Sequence, residues 1–67
     1  MIDELIKTLE EARTANRKLL DQLYLVAEKH YRNEEMEVGK YWESKYNEVL
    51  NVWITIDNLI NKYNEGT

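Results

Sequence analysis

Residues 2–32 read IDELIKTLEEARTANRKLLDQLYLVAEKHYR, and the spacing of apolar residues in this stretch decides the fold. Apolar side chains recur every three or four positions, which places them along one stripe of an α-helix. One row repeats every seven residues and comprises Ile2, Leu9, Asn16, Leu23 and His30. A second row lies three positions later and comprises Leu5, Ala12, Leu19 and Val26. The two rows predict an amphipathic helix over about residues 2–32 that packs on another helix.

The second half of the chain repeats this heptad spacing. One row comprises Trp42, Val49, Ile56 and Tyr63, and the other comprises Val38, Lys45, Val52 and Leu59. Residues 49–56 are rich in β-branched and aromatic types, which favour strands. A lone strand would leave its backbone groups unpaired, however, and the segment contains no proline or internal turn signal. We therefore predict a second helix over about residues 38–64.

Residues 33–39 lack apolar periodicity and form the predicted turn region. Asn33 tolerates the left-handed conformation at a helix end and Gly39 favours it, so either residue could end the first helix. A bend within residues 33–37 is the favoured interpretation, because it brings the small Ala12 near the large Trp53. The sequence thus predicts an all-α fold: one antiparallel helical-hairpin domain over residues 1–67.

The small size of the chain predicts self-association. A chain of 67 residues buries little surface and usually needs disulfides, a metal or a partner subunit. It contains no cysteine and one histidine, His30, so we expect oligomerisation to provide the missing stability. The lack of cysteine also suits a reducing cytoplasm, and no signal peptide or long apolar run is present. We expect a cytoplasmic protein that does not cross a membrane.

The apolar arc of the second helix is wider than one neighbouring helix can cover. Leu50 and Ile54 lie four residues apart on its far flank, and Trp53 widens the seam. A second hairpin could cover this flank, which predicts a homodimer that closes a four-helix bundle. Asn16 lies in the first seam, where its amide could fix the register by bonding Asn16 of a second copy or a neighbouring polar group. The predicted dimer or partner interface therefore comprises Asn16, Leu50, Trp53 and Ile54.

The residues that could support catalysis are few. The chain has no phosphate-binding, dinucleotide-binding or zinc-protease motif. Ser44 has no histidine at helical spacing, and His30 with Glu34 and Glu37 would make only a weak metal site. We therefore predict that the chain is not an enzyme and has no catalytic residue, cofactor or metal.

The aromatic residues point instead to protein binding. All seven are tyrosine or tryptophan, which suit half-buried surfaces and dominate binding hot spots. An acidic rim around such residues suits a basic protein partner. We predict a partner surface formed by Tyr24, Tyr31, Tyr41, Glu34, Glu35 and Glu37. The predicted function is a small protein-binding regulator, inhibitor or adaptor. The many asparagines, isoleucines and lysines indicate an AT-rich genome, and short one-domain proteins of this kind are common in phages and mobile elements.

Nucleic-acid binding is the alternative. The net charge is −4, which repels nucleic acid unless cations cluster, and Arg13, Arg17 and Lys18 form one small basic cluster. The predicted dimeric hairpin resembles the plasmid-encoded Rop regulator in plan, which implies RNA binding through a basic face. The plan is also similar to small co-chaperones of secretion systems, which implies a third role as a co-chaperone or a subunit of a larger assembly.

Overall fold

The fold is an all-α helical hairpin, as predicted. A computed structural model describes residues 1–65, in which α1 (Ile2–Arg32) and α2 (Met36–Glu65) pack antiparallel along their length. The second helix begins two residues earlier than the spacing predicts. The hairpin measures 50 × 14 × 11 Å between Cα atoms. Within the described part of the chain, neither helix combines the length and apolar character needed to cross a membrane.

The buried residues identify which rows of the two helices face each other. The buried apolar side chains are Leu20, Leu23, Ala27 and Ile60. Leu23 belongs to the first predicted row of α1. The other three buried residues follow directly after members of the second rows, which are Leu19, Val26 and Leu59. Those second rows were predicted wrongly, because most of their members are exposed in the hairpin: Leu5, Leu19, Val38, Val52 and Leu59.

The side chains of α2 explain this choice of seam. The row that enters the seam contains Tyr46, Trp53 and Ile60, whereas the excluded row contains Lys45. Burying the three large side chains removes more apolar surface from water than burying two valines and a leucine. Placing Lys45 in the seam would also require its ammonium group to be desolvated. Both effects favour the observed seam.

The turn between the helices depends on a left-handed glutamate. Glu34 has a φ of 61°, whereas Asn33, which caps α1, has a φ of −87°. The backbone N–H of Glu34 donates to the carbonyl of Tyr31 (3.0 Å), and that of Glu35 donates to the carbonyl of His30 (2.9 Å). This is the Schellman pattern, whose left-handed position usually holds glycine or asparagine. Asn33 ends α1, and the left-handed conformation belongs to Glu34 instead of Asn33 or Gly39.

Gly39 lies inside α2, where it allows a close approach of the two helices. A Cβ atom added there would lie 2.8 Å from two ring carbons of Tyr31. Gly39 is buried, and the ring covers its backbone. The absence of a side chain at Gly39 therefore serves the packing of α1 on α2.

We expect Glu34→Gly to raise the free energy of unfolding by about 1 kcal/mol, because glycine adopts the left-handed conformation without steric cost. Glu37→Gly is the matched control, since it removes the same side chain within the first turn of α2. That substitution should lower the free energy of unfolding by roughly 0.5–1 kcal/mol. Urea denaturation of both variants measures the difference, and an equal effect in the two would contradict the left-handed turn.

We expect Gly39→Ala to lower the free energy of unfolding by about 1 kcal/mol, because displacing the Tyr31 ring outweighs the helix propensity gained. In a Tyr31→Ala background the same substitution should raise it by about 1 kcal/mol, since the added methyl group then meets no ring. A double-mutant cycle followed by urea denaturation measures this coupling. If alanine at position 39 has the same effect in both backgrounds, the Tyr31 contact does not constrain this position.

Candidate protein-binding site

The hairpin has two side faces of different chemistry. Two rows of α1 flank the seam on opposite sides: one comprises residues 17, 24 and 31, and the other comprises residues 5, 12, 19 and 26. Two rows of α2 also flank the seam on opposite sides: one comprises residues 43, 50 and 57, and the other comprises residues 38, 45, 52 and 59. Tyr31 donates a hydrogen bond to Glu43, and the rings of Tyr24 and Tyr46 lie 6.3 Å apart. These contacts place the rows that include Tyr31 and Glu43 on one side of the hairpin. The other two rows therefore share the opposite side.

The first side contains a groove near the turn, which we call the tyrosine groove. Its volume is about 530 Å³, and it is lined by Tyr24, Ala27, Glu28, Tyr31, Arg32, Glu43, Tyr46 and Asn47. The buried Ala27 forms part of its base, and Tyr24 projects outward with 57% of its surface exposed. The groove therefore combines aromatic surface with polar groups at its margin.

The charged groups of the groove are held by neighbouring side chains. Arg32 donates a hydrogen bond to Glu28, one helical turn earlier on α1. The hydrogen bond from Tyr31 to Glu43 raises the pKa of the Tyr31 phenol above 10.0, since it holds the phenolic proton. Partial burial and repulsion between the phenolate and the Glu43 carboxylate raise this pKa further. Two carboxylates and one guanidinium leave the groove with a net negative charge.

The structure brings together only part of the predicted partner surface. Tyr24 and Tyr31 line the tyrosine groove, whereas Tyr41 packs edge-on against Trp42, with ring centroids 5.3 Å apart. Lys45 Nζ lies 5.4 Å from the Tyr41 ring centre. The predicted acids lie at the turn, apart from the groove lining, and all are exposed: Glu34, Glu35 and Glu37.

Six of the eight groove residues were not predicted as partner contacts, and two of these, Tyr46 and Glu43, contact the predicted tyrosines across the two helices. The sequence predicts no binding role for either residue. Both follow from the position of the turn, since a reversal at Asn33–Glu35 places residues 43 and 46 beside Tyr31 and Tyr24. The sequence alone does not determine the position of the turn, and therefore does not determine which residues of α1 lie beside which residues of α2.

The predicted interface residues lie in different surroundings. The Nδ2 group of Asn16 donates to the carbonyl of Ala12 at 2.9 Å, within the same helix. Leu50 and Trp53 are half-buried and line a second cavity of about 260 Å³, on the same side as the tyrosine groove. Ile54 is 43% exposed. The four residues of the predicted interface therefore differ in their surroundings: the Asn16 amide is bonded within its own helix, Leu50 and Trp53 are half-buried, and Ile54 is exposed.

The basic cluster is largely neutralised by carboxylates. Arg13 Nη1 lies 2.6 Å from Asp57 Oδ1 across the two helices, and Arg17 Nε lies 3.6 Å from Asp21 Oδ1. Lys18 joins these two arginines, Thr14 and Trp53 around a shallow depression of about 260 Å³. Pairing with carboxylates lowers the attraction of the two guanidinium groups for phosphate.

The opposite side of the hairpin is an apolar face. We use this name for the rows that comprise Leu5, Ala12, Leu19, Val26, Val38, Lys45, Val52 and Leu59. Its one charged member, Lys45, lies 3.6 Å from Glu48. The remaining side chains are aliphatic, and most of them are exposed.

Within residues 1–65, no group of three His, Cys, Asp or Glu side chains is arranged to hold a metal ion. Comparison of the chain with protein-family models, curated proteins and solved structures finds no match.

We expect Glu43→Gln to lower the pKa of Tyr31 towards its ordinary value of 10.0, because the carboxylate that binds the phenolic proton is lost. An NMR titration of the Tyr31 ring measures this pKa. Glu48→Gln removes a carboxylate elsewhere on α2 and should leave it unchanged. Because folding raises this pKa, the stabilisation from the contact is complete below pH 10.0 and is lost as the pH rises through the raised value.

Proposed function

We propose that this chain is a small non-enzymatic regulator or adaptor that binds a basic segment of another protein in its tyrosine groove. The observation that carries the proposal is the convergence of three tyrosines from both helices on one groove with a net negative margin. Tyrosine offers a large contact area at low conformational cost and is enriched at binding hot spots. A cytoplasmic location and a phage or mobile-element origin form part of the proposal.

Arginine is the side chain that best fits this groove. A guanidinium group stacks on aromatic rings and donates paired hydrogen bonds to a carboxylate. The exposed Tyr24 ring provides the first kind of contact, and Glu43 at the groove margin provides the second. Because Glu43 already accepts from Tyr31, a bound arginine would add donors to a carboxylate that is held in place.

A binding experiment with matched tyrosine variants tests this proposal. The probe is a labelled peptide with two arginines spaced one helical turn apart, titrated into the full chain by fluorescence anisotropy and NMR. We expect Tyr24→Ser to weaken binding about tenfold, the effect of losing a hot-spot tyrosine. Tyr41→Ser is the control, because Tyr41 is 56% exposed against 57% for Tyr24 but lies outside the groove. Its affinity should equal that of the wild type.

Other outcomes would reject the groove. If Tyr41→Ser weakens binding and Tyr24→Ser does not, the partner surface lies around Tyr41. A second outcome is that the chain does not bind the peptide but binds RNA or DNA at low salt, and that Arg17→Ala abolishes this binding. In that case the basic cluster is the functional site, and the Rop-like alternative replaces this proposal. If it binds neither, the role as a co-chaperone or subunit of a larger assembly is favoured.

A further inference from the structure

We propose that a second copy of the chain covers the apolar face, so that two hairpins form a four-helix bundle through this face. The proposal concerns the side of the hairpin opposite the tyrosine groove and does not depend on what the groove binds. It also differs from the interface predicted around Leu50 and Ile54, because those residues lie outside the apolar face.

The chemistry of the apolar face favours contact with an apolar surface. Leu5 and Leu19 of α1 are 40% and 43% exposed, and Val52 of α2 is 50% exposed, which are large fractions for aliphatic side chains on one face of the hairpin. The α1 residues that border the face are uncharged at Thr8, Ala15 and Gln22, and the next residue of this row is Lys29. A partner that recognised charge would find only Lys45 on the face, and Glu48 already lies beside it.

The small core of the hairpin favours covering this face. Among the described residues, four apolar side chains are buried, and none has less than 2% of its surface exposed. A chain of this size normally needs a further source of stability, and this one has no cysteine for a disulfide. A second copy is present wherever the chain is made, so it can provide that stability without any other component. The need for further stability therefore favours a second copy over a foreign protein.

The dimensions of the face suit a stable dimer. The hairpin is 50 Å long and 14 Å wide between Cα atoms, so a side face offers roughly 700 Å² per copy, close to the ~800 Å² per partner of a standard interface. Four helices packed in this way enclose a continuous apolar core. The two tyrosine grooves would then lie on the outer sides of the dimer, both open to partners.

Sedimentation equilibrium on the full chain and two variants tests the proposal. We expect the wild type to have a mass of twice 8.1 kDa at micromolar concentration and a Tm that rises with concentration. Leu19→Glu should raise the dissociation constant at least tenfold, because it places a carboxylate in the apolar interface. Ile54→Glu is the matched control: Ile54 is 43% exposed, as is Leu19, but lies outside the apolar face, so the dimer should persist.

A milder variant separates loss of the dimer from loss of the fold. Val52→Thr keeps the shape of the side chain and adds one hydroxyl group, so it should weaken the dimer while circular dichroism at high concentration remains helical. A wild-type chain that is monomeric and folded at these concentrations would overturn the proposal. Dissociation by Ile54→Glu but not by Leu19→Glu would also overturn it, and would assign the interface to the opposite side.

Discussion

The packing of Tyr46, Trp53 and Ile60 against α1 fixes the rotation of α2 about its axis. Once these side chains enter the seam, Val38, Lys45, Val52 and Leu59 must lie on one flank, and Glu43, Leu50 and Asp57 on the other. The salt bridge between Arg13 and Asp57 and the ring contact between Tyr24 and Tyr46 both depend on this rotation. The rotation therefore determines the chemistry of both side faces.

The turn end of the hairpin depends on a second constraint, the contact between Gly39 and Tyr31. Because Gly39 has no side chain, the Tyr31 ring lies directly over the α2 backbone, and its hydroxyl group reaches Glu43. This position leaves space between Tyr31, Tyr24 and Tyr46, and that space is the tyrosine groove. A residue that reads as a turn signal in the sequence is thus part of the architecture of the candidate site.

Heptad spacing predicts the helices and the hairpin because both depend on the period of the apolar residues. It does not specify which of two neighbouring rows completes the seam, since a row can pair with residues three or four positions away. In α1 both choices offer apolar pairs: Leu19 and Val26 in one, and Leu20 and Ala27 in the other, whose row also contains Arg13. The choice depends on the partner helix, where Lys45 disfavours one row and Trp53 favours the other. Contacts between helices, such as the one from Tyr31 to Glu43, depend on that choice and on the turn at Glu34.

Asn16 and Lys45 interrupt the apolar rows of α1 and α2 and contribute differently to specificity. The Asn16 side chain donates to the carbonyl of Ala12 in its own helix, which uses one of the two N–H donors of its amide within one copy. Lys45 interrupts an otherwise aliphatic face. Its methylene chain can cover apolar surface only if its ammonium group reaches the edge of this face, where Glu48 and Tyr41 lie. Any copy that packs on this face must leave that edge open to water. Lys45 therefore excludes registers that would bury it, and gives the apolar face a specificity that aliphatic side chains alone do not provide.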